Sequence, residues 1–179
     1  MIKVKQRYSL ALAERVAYEL LELLRPACSR IVVAGSIRRR KPDVGDIELL
    51  CIPVEGVLLG TPLDAALGRL ISDGLLALRP NVKGSTTYGP MNKLLRHLPS
   101  GIPVDIFTAD SRNWGMALVV RTGPAEFNIK MMARFQWLHM KGHAYGGVTL
   151  PNGNEKDCPD EEGVFRLLGW PYQEPEGRE

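Results

Sequence analysis

The chain has 179 residues, 45% of them apolar, and its 23 Lys plus Arg against 20 Asp plus Glu give a formal net charge of +3. This composition supports a sizeable buried core in one domain or two small ones. It excludes a disordered chain, a collagen-like repeat and a disulfide mini-scaffold. The charge is mildly basic: it permits nucleic acid as a partner but does not by itself argue for one, which would take clustered charge.

In chain order, Ser9 to Leu24 reads as an amphipathic helix. Leu10, Leu12, Val16, Leu20, Leu21 and Leu24 recur near i, i+3 and i+4, Ser9 caps the start and Pro26 ends it. Ile31 to Ala34 is a short β-branched run, a buried strand that stops at Gly35-Ser36. Arg38-Arg39-Arg40-Lys41-Pro42 follows, then a second apolar run, Ile47 to Ile52. Pro62 to Leu78 has helical spacing, Val82 to Pro99 reads as paired strands turning at Gly84 and Tyr88-Gly89-Pro90, and Val104 to Phe107 is a further strand. Trp114 to Val120 and Ala125 to Met140 read as helices, Tyr145 to Leu150 with Asn152-Gly153 as a hairpin, and Asp160 to Leu168 as a last short helix. Helices and strands are mixed rather than alternating, so the fold class is α+β.

Cys28, Cys51 and Cys158 are odd in number and form no C-x-x-C pair, so neither a disulfide framework nor a zinc site is indicated. His97, His139 and His143 show no metal spacing that converges with the acidic residues, and Trp114, Trp137 and Trp170 read as core anchors. The sequence has neither a secretory signal pattern nor an apolar stretch near the ~18 residues that a membrane span needs. It reads as a soluble intracellular protein, with no membrane partner.

The chemistry concentrates in Gly35-Ser36-Ile37-Arg38-Arg39-Arg40-Lys41-Pro42-Asp43-Val44-Gly45-Asp46-Ile47-Glu48. Asp46 and Glu48 are two apart in a strand pattern, which points them to one face. Carboxylates on a half-buried face are costly unless a cation neutralises them, and hard oxygen ligands favour Mg²⁺. Asp105, alone among Ile102-Pro103-Val104 and Ile106-Phe107, supplies a third if its strand lies beside the first pair. Three such carboxylates are a ligand set for two metals in in-line phosphoryl transfer. Gly35-Ser36, ten residues before Asp46, offers backbone N–H groups and a hydroxyl to phosphate, and Arg39 adds charge. Taken singly, each element has a plain structural reading; the combination is what points to nucleotidyl transfer.

This pattern resembles the nucleotidyltransferase superfamily and, more narrowly, the family X DNA polymerases, the DNA polymerase beta group. Trp114-Gly115-Met116-Ala117-Leu118, Thr122-Gly123-Pro124 and Phe127-Asn128 are similar to that family's palm-to-thumb segment, and Val164 to Tyr172 with Pro175 and Arg178-Glu179 to its carboxyl terminus. The resemblance implies a nucleotidyltransferase palm, a mixed β-sheet with flanking helices over residues 1–111, followed by a small α/β thumb over 112–179. It implies that Asp46, Glu48 and Asp105 are catalytic metal ligands for two Mg²⁺ ions, with Mn²⁺ an alternative. Gly35, Ser36, Arg39, Thr122, Gly123, Phe127 and Asn128 would bind the nucleotide, and Arg121, Lys130 and Arg134 would contact DNA. The partners implied are primer-template or gapped DNA and deoxynucleoside triphosphates, the setting is short-gap repair by a monomer, and neither a lyase domain nor a helix-hairpin-helix domain is expected.

Two other readings stay open on the residues alone. One is a template-independent nucleotidyltransferase acting on an RNA end, a small molecule or a protein. The other is a DNA-binding accessory module with a decayed site, suggested by Glu48 standing where the family usually has Asp. A second departure is Val120-Arg121 in place of a sugar-facing aromatic pair. Weak discrimination against ribonucleotides is therefore expected, and Val120→Tyr should raise selectivity for deoxynucleotides in incorporation kinetics. Equal selectivity in the two proteins would contradict this.

Overall fold

The computed structural model describes residues 6–56, 60–81 and 84–178. The chain divides into two units, Met1–Thr108 and Ala109–Glu179. Among the described residues no helix is long and apolar enough to cross a membrane.

In the first unit, β1 (Tyr8–Ser9) leads into α1 (Leu10–Leu24), where the Ser9 side chain accepts a hydrogen bond from the Leu12 N–H as the cap. A 3₁₀ turn at Arg25–Ala27 carries Pro26, and β2 (Cys28–Val33) follows. Gly35–Arg38 forms a short helix, α2. β3 (Asp43–Val44) pairs antiparallel with β1, and β4 (Ile47–Pro53) begins directly after Asp46. α3 (Pro62–Ser72) is opened by a capping box between Thr61 and Asp64. β5 (Leu76–Leu78), β6 (Asn92–His97) and β7 (Pro103–Thr108) complete the unit.

Five strands form one sheet in the order β2-β4-β7-β6-β5; β4 and β7 run parallel and the other neighbours antiparallel. Alternate residues serve one apolar face. Ile31, Val33, Ile47, Leu49, Leu76, Leu95, Val104 and Ile106 join Val16, Leu20 and Leu24 of α1 and Leu63 and Leu67 of α3 in a single buried cluster. Each such side chain contributes about 1.5–3 kcal/mol of burial. Buried polar residues of this unit include Lys93, whose ammonium donates to the Gly89 carbonyl at 2.9 Å, and His97, whose Nδ1 lies 2.7 Å from the Ser100 hydroxyl. Burial pulls the His97 pKa below its ordinary value, although the charge of Glu19 acts the other way.

Several boundaries differ from the periodicity reading. The helix expected to Leu78 ends at Ser72, because Gly74 takes φ +73° and the apolar residues after it form β5. Of the strand pair expected over Val82 to Pro99, β6 is a full strand; the earlier part makes only isolated bridges, Pro80 to Thr86 and Tyr88 to Lys93, and Val82 lies outside the described residues.

The second unit holds α4 (Trp114–Thr122), α5 (Ala125–Trp137), a three-stranded antiparallel sheet of β8 (Lys141–Gly142), β9 (Val148–Thr149) and β10 (Glu155–Lys156), and α6 (Glu161–Leu168). Asn152-Gly153 turns β9 into β10, with Gly153 at φ +83°. α5 ends at Trp137 rather than Met140, as His139 takes φ +56°. Met116, Val119, Phe127, Met131, Phe135, Val164, Phe165 and Leu168 form the core. Gly115 allows a close approach: a Cβ there would stand 2.1 Å from the Asp160 carbonyl oxygen. Trp114 is buried and Trp170 packs on the core, but Trp137 is 69% exposed, with the Arg134 guanidinium 4.2 Å from its ring centre, and so is no core anchor.

Arg178 is the polar centre of this unit. Fully buried, it donates to Glu161 Oε1 at 2.8 Å and to the Gln173 carbonyl at 3.0 Å, and its guanidinium lies 5.2 Å from the Phe165 ring centre and 5.7 Å from that of Tyr172. Removing one partner of a buried pair strands the other charge. Glu161→Ala is therefore expected to cost about 3–5 kcal/mol in denaturant unfolding, and a loss under 1 kcal/mol would show that the pair is dispensable.

Candidate active site

Strand register brings the acidic residues together in the first unit. In the parallel pair β4–β7, Glu48 stands opposite Asp105, and on the far side of β7 Leu94 of β6 stands opposite Asp105. Because neighbouring strands lie about 4.8 Å apart and paired residues share a face, Glu48 and Asp105 emerge side by side. Asp46 sits just before β4, two residues ahead of Glu48. The hydrophobic alternation that sends Ile47, Leu49, Val104 and Ile106 into the core turns Glu48 and Asp105 to the opposite face.

The phosphate-type elements lie beside them. The Ala34 N–H donates to the Glu48 carbonyl at 2.8 Å, tying the start of α2 to β4. Gly35 has φ +64°, and a Cβ added to it would lie 2.0 Å from Glu48 Oε2. The glycine is thus required twice, by its backbone conformation and by the Glu48 carboxylate packed against it. Ser36 Oγ is buried without a hydrogen-bond partner. Arg39 caps the short helix, its backbone N–H donating to the Gly35 carbonyl.

Asp105 forms an ion pair with Arg79, a residue that sequence reasoning did not single out. Its signal was only an arginine following Leu76-Ala77-Leu78; the partner becomes visible once the sheet order is known.

The donor chemistry fits a divalent cation. Asp46, Glu48 and Asp105 are hard oxygen ligands, and an orphaned hydroxyl at Ser36 leaves a group for phosphate. The side chains are not gathered as a cluster: among the described residues no three His, Cys, Asp or Glu side chains are placed to hold a metal ion. Asp105 is paired with Arg79, and the Glu48 carboxylate lies against Gly35.

In the second unit, Thr122 is buried at the end of α4, and Gly123, with φ +61°, closes that helix through its N–H to the Val119 carbonyl at 3.0 Å. Phe127 is 2% exposed and packs on Phe165 and Trp170, which makes it a core residue rather than a surface for a base. The Asn128 amide donates to the Val120 carbonyl at 2.8 Å, and its carbonyl oxygen is buried without a partner. The Arg121 guanidinium lies 4.7 Å from the Tyr145 ring centre, and Lys130 is on the exposed side of α5. Arg134 donates to the Leu168 carbonyl at 3.0 Å and covers Trp137. His143 Nε2 lies 2.8 Å from the Thr149 hydroxyl, which donates to Glu155 at 2.7 Å.

Gly35→Ala should lower thermal stability by about 1–2 kcal/mol through backbone strain, and further through the Glu48 contact. Adding Glu48→Asp should recover only the second part. Full recovery in thermal unfolding would show that the backbone conformation matters little.

Comparison with known proteins places these features in context. Residues 117–179 match the DNA polymerase beta thumb family. DNA polymerase lambda of Rattus norvegicus is 29% identical over 164 aligned residues, covering 83% of this chain; the chain spans 28% of that relative. Among solved structures, Leishmania infantum polymerase beta in a ternary P/T complex superposes with a TM-score of 0.77 at 19% identity, over 98% of this chain and 78% of that one. The same protein in a ternary gap complex gives 0.77 at 18% identity, over 97% and 71%. The two structural likenesses establish a polymerase-beta fold.

Proposed function

We propose that this chain, whose residues 117–179 match the DNA polymerase beta thumb family and which is 29% identical to a DNA polymerase lambda over 164 residues, is a template-directed DNA polymerase that adds deoxynucleotides to a primer 3′ hydroxyl, filling short gaps in DNA repair. The parallel register that sets Glu48 beside Asp105, next to Gly35 and Ser36, carries this function. Residues 1–111 act as palm and 112–179 as thumb, and the protein works as a monomer on primer-template or gapped DNA.

Asp46, Glu48 and Asp105 would hold two Mg²⁺ ions, or Mn²⁺. Such cations would supply charge neutralisation at the triphosphate and at the attacking and leaving oxygens. The chain's own groups supply position. Gly35 lets the triphosphate approach the backbone, the Ser36 hydroxyl donates to a phosphate oxygen, and Arg39 adds a charged donor. Asp105 orients the primer 3′ hydroxyl and takes its proton. The hydroxyl oxygen attacks the α-phosphorus, the bond to the β-phosphate oxygen breaks, and pyrophosphate leaves with that electron pair. Thr122 and Gly123 line the sugar, and Asn128 serves the base edge from a helix that Phe127 anchors. Arg121 and Lys130 contact backbone phosphate.

The test is extension of a labelled primer, alone, on a template and at a one-nucleotide gap, with Mg²⁺ or Mn²⁺. Template-dependent addition is expected, and Asp46→Ala or Asp105→Ala should each slow it by about 100-fold or more, since metal-assisted charge stabilisation is worth several kcal/mol. Extension without template dependence would favour the template-independent reading. No incorporation on any substrate would favour the accessory module.

A further inference from the structure

Arg79 reaches Asp105 across an intervening strand. It follows β5, and its backbone N–H donates to the Leu94 carbonyl on β6 at 3.0 Å. Leu94 is the register partner of Asp105, so the guanidinium crosses β6 to meet the carboxylate on β7. Its Nε donates to the Leu95 carbonyl at 3.3 Å, which braces the head group while Nη2 pairs with Asp105 Oδ1. Both side chains are largely shielded, at 20% and 16% exposure, so water screens the pair only in part.

We propose that Arg79 is a positioning residue that sets how tightly the site holds its divalent cation, by acting as the stand-in counter-charge of Asp105. This rests on the metal-ligand role given to Asp105 above. A guanidinium on one carboxylate oxygen does two things to an arriving cation. It occupies an acceptor, and it places a like charge within a few ångströms of the ion. The second effect has a fixed direction: removing the positive charge strengthens cation binding. The first acts the same way, because the freed oxygen becomes a ligand. Both therefore predict tighter binding when the charge is removed and little change when it is kept. The brace to Leu95 explains why arginine serves here: its fork bonds a carbonyl and a carboxylate at once, whereas a lysine offers a point charge.

The test is Mn²⁺ binding to the full chain without nucleotide or DNA, followed by electron paramagnetic resonance or calorimetry. Arg79→Gln is expected to tighten Mn²⁺ binding by about threefold or more, while Arg79→Lys stays close to wild type. In an Asp105→Asn background the effect of Arg79→Gln should shrink, because the acceptor that the guanidinium occupies is gone and only the like-charge part remains. Equal or weaker Mn²⁺ binding by Arg79→Gln overturns the proposal, as does an unchanged effect in the Asp105→Asn background. Thermal unfolding of each variant identifies misfolding, and Arg79→Lys provides a second comparison that keeps the charge. The cycle is read without catalysis. If it holds and primer extension fails, the competition at Asp105 stands and the polymerase reading falls. If wild type binds no Mn²⁺, both fall.

Discussion

Two carboxylates in parallel register on adjacent strands are the constraint around which the first unit is arranged. Like charges directly opposite one another destabilise a sheet, and the cost rises as water is withdrawn. Glu48 and Asp105 are held there by the same alternation that buries Ile47, Leu49, Val104 and Ile106 on the other face. Slipping either strand by one residue would relieve the repulsion, but it would also turn that strand's own core side chains to the wrong face. The core therefore pins an arrangement that electrostatics alone would avoid, and the neighbours have to answer it.

They answer it in different ways on the two strands. Asp105 is met by a cation, Arg79, brought from two strands away by the antiparallel order β7-β6-β5. Glu48 is given room, against a glycine whose missing Cβ leaves space for the carboxylate. The second unit shows a similar economy at a purely structural centre. There a fully buried arginine, Arg178, meets Glu161, a backbone carbonyl and a set of aromatic rings, and no strand register is involved.

Local signals were legible in the sequence wherever a single element decides the outcome. The Ser9 cap and the Asn152-Gly153 turn follow from residue chemistry within a few positions, and each is present. The end of α3 was not legible: Leu75 and Leu76 continue the helical spacing, and only the left-handed conformation of Gly74 breaks it. Trp137 misled for the opposite reason, since aromatic bulk suggests burial while its helix face decides exposure and Arg134 covers the ring. The acidic pair and the Gly-Ser element could be read because strand periodicity and spacing carry them. Arg79 could not, because its meaning depends on a sheet order that places β5 two strands from β7.

Glu48 is where sequence and structure together change the question. On sequence alone, one extra methylene in place of the usual Asp looks like damage to a metal ligand. In the fold, that methylene carries the carboxylate back onto Gly35, so the ligand and the glycine that opens the phosphate-type element occupy one shared volume. Neither residue can then be judged separately. A side chain at position 35 would displace the acid. Longer ligand and absent Cβ form one steric unit, and the geometry of the acidic site is set by their sum rather than by the length of the acid alone.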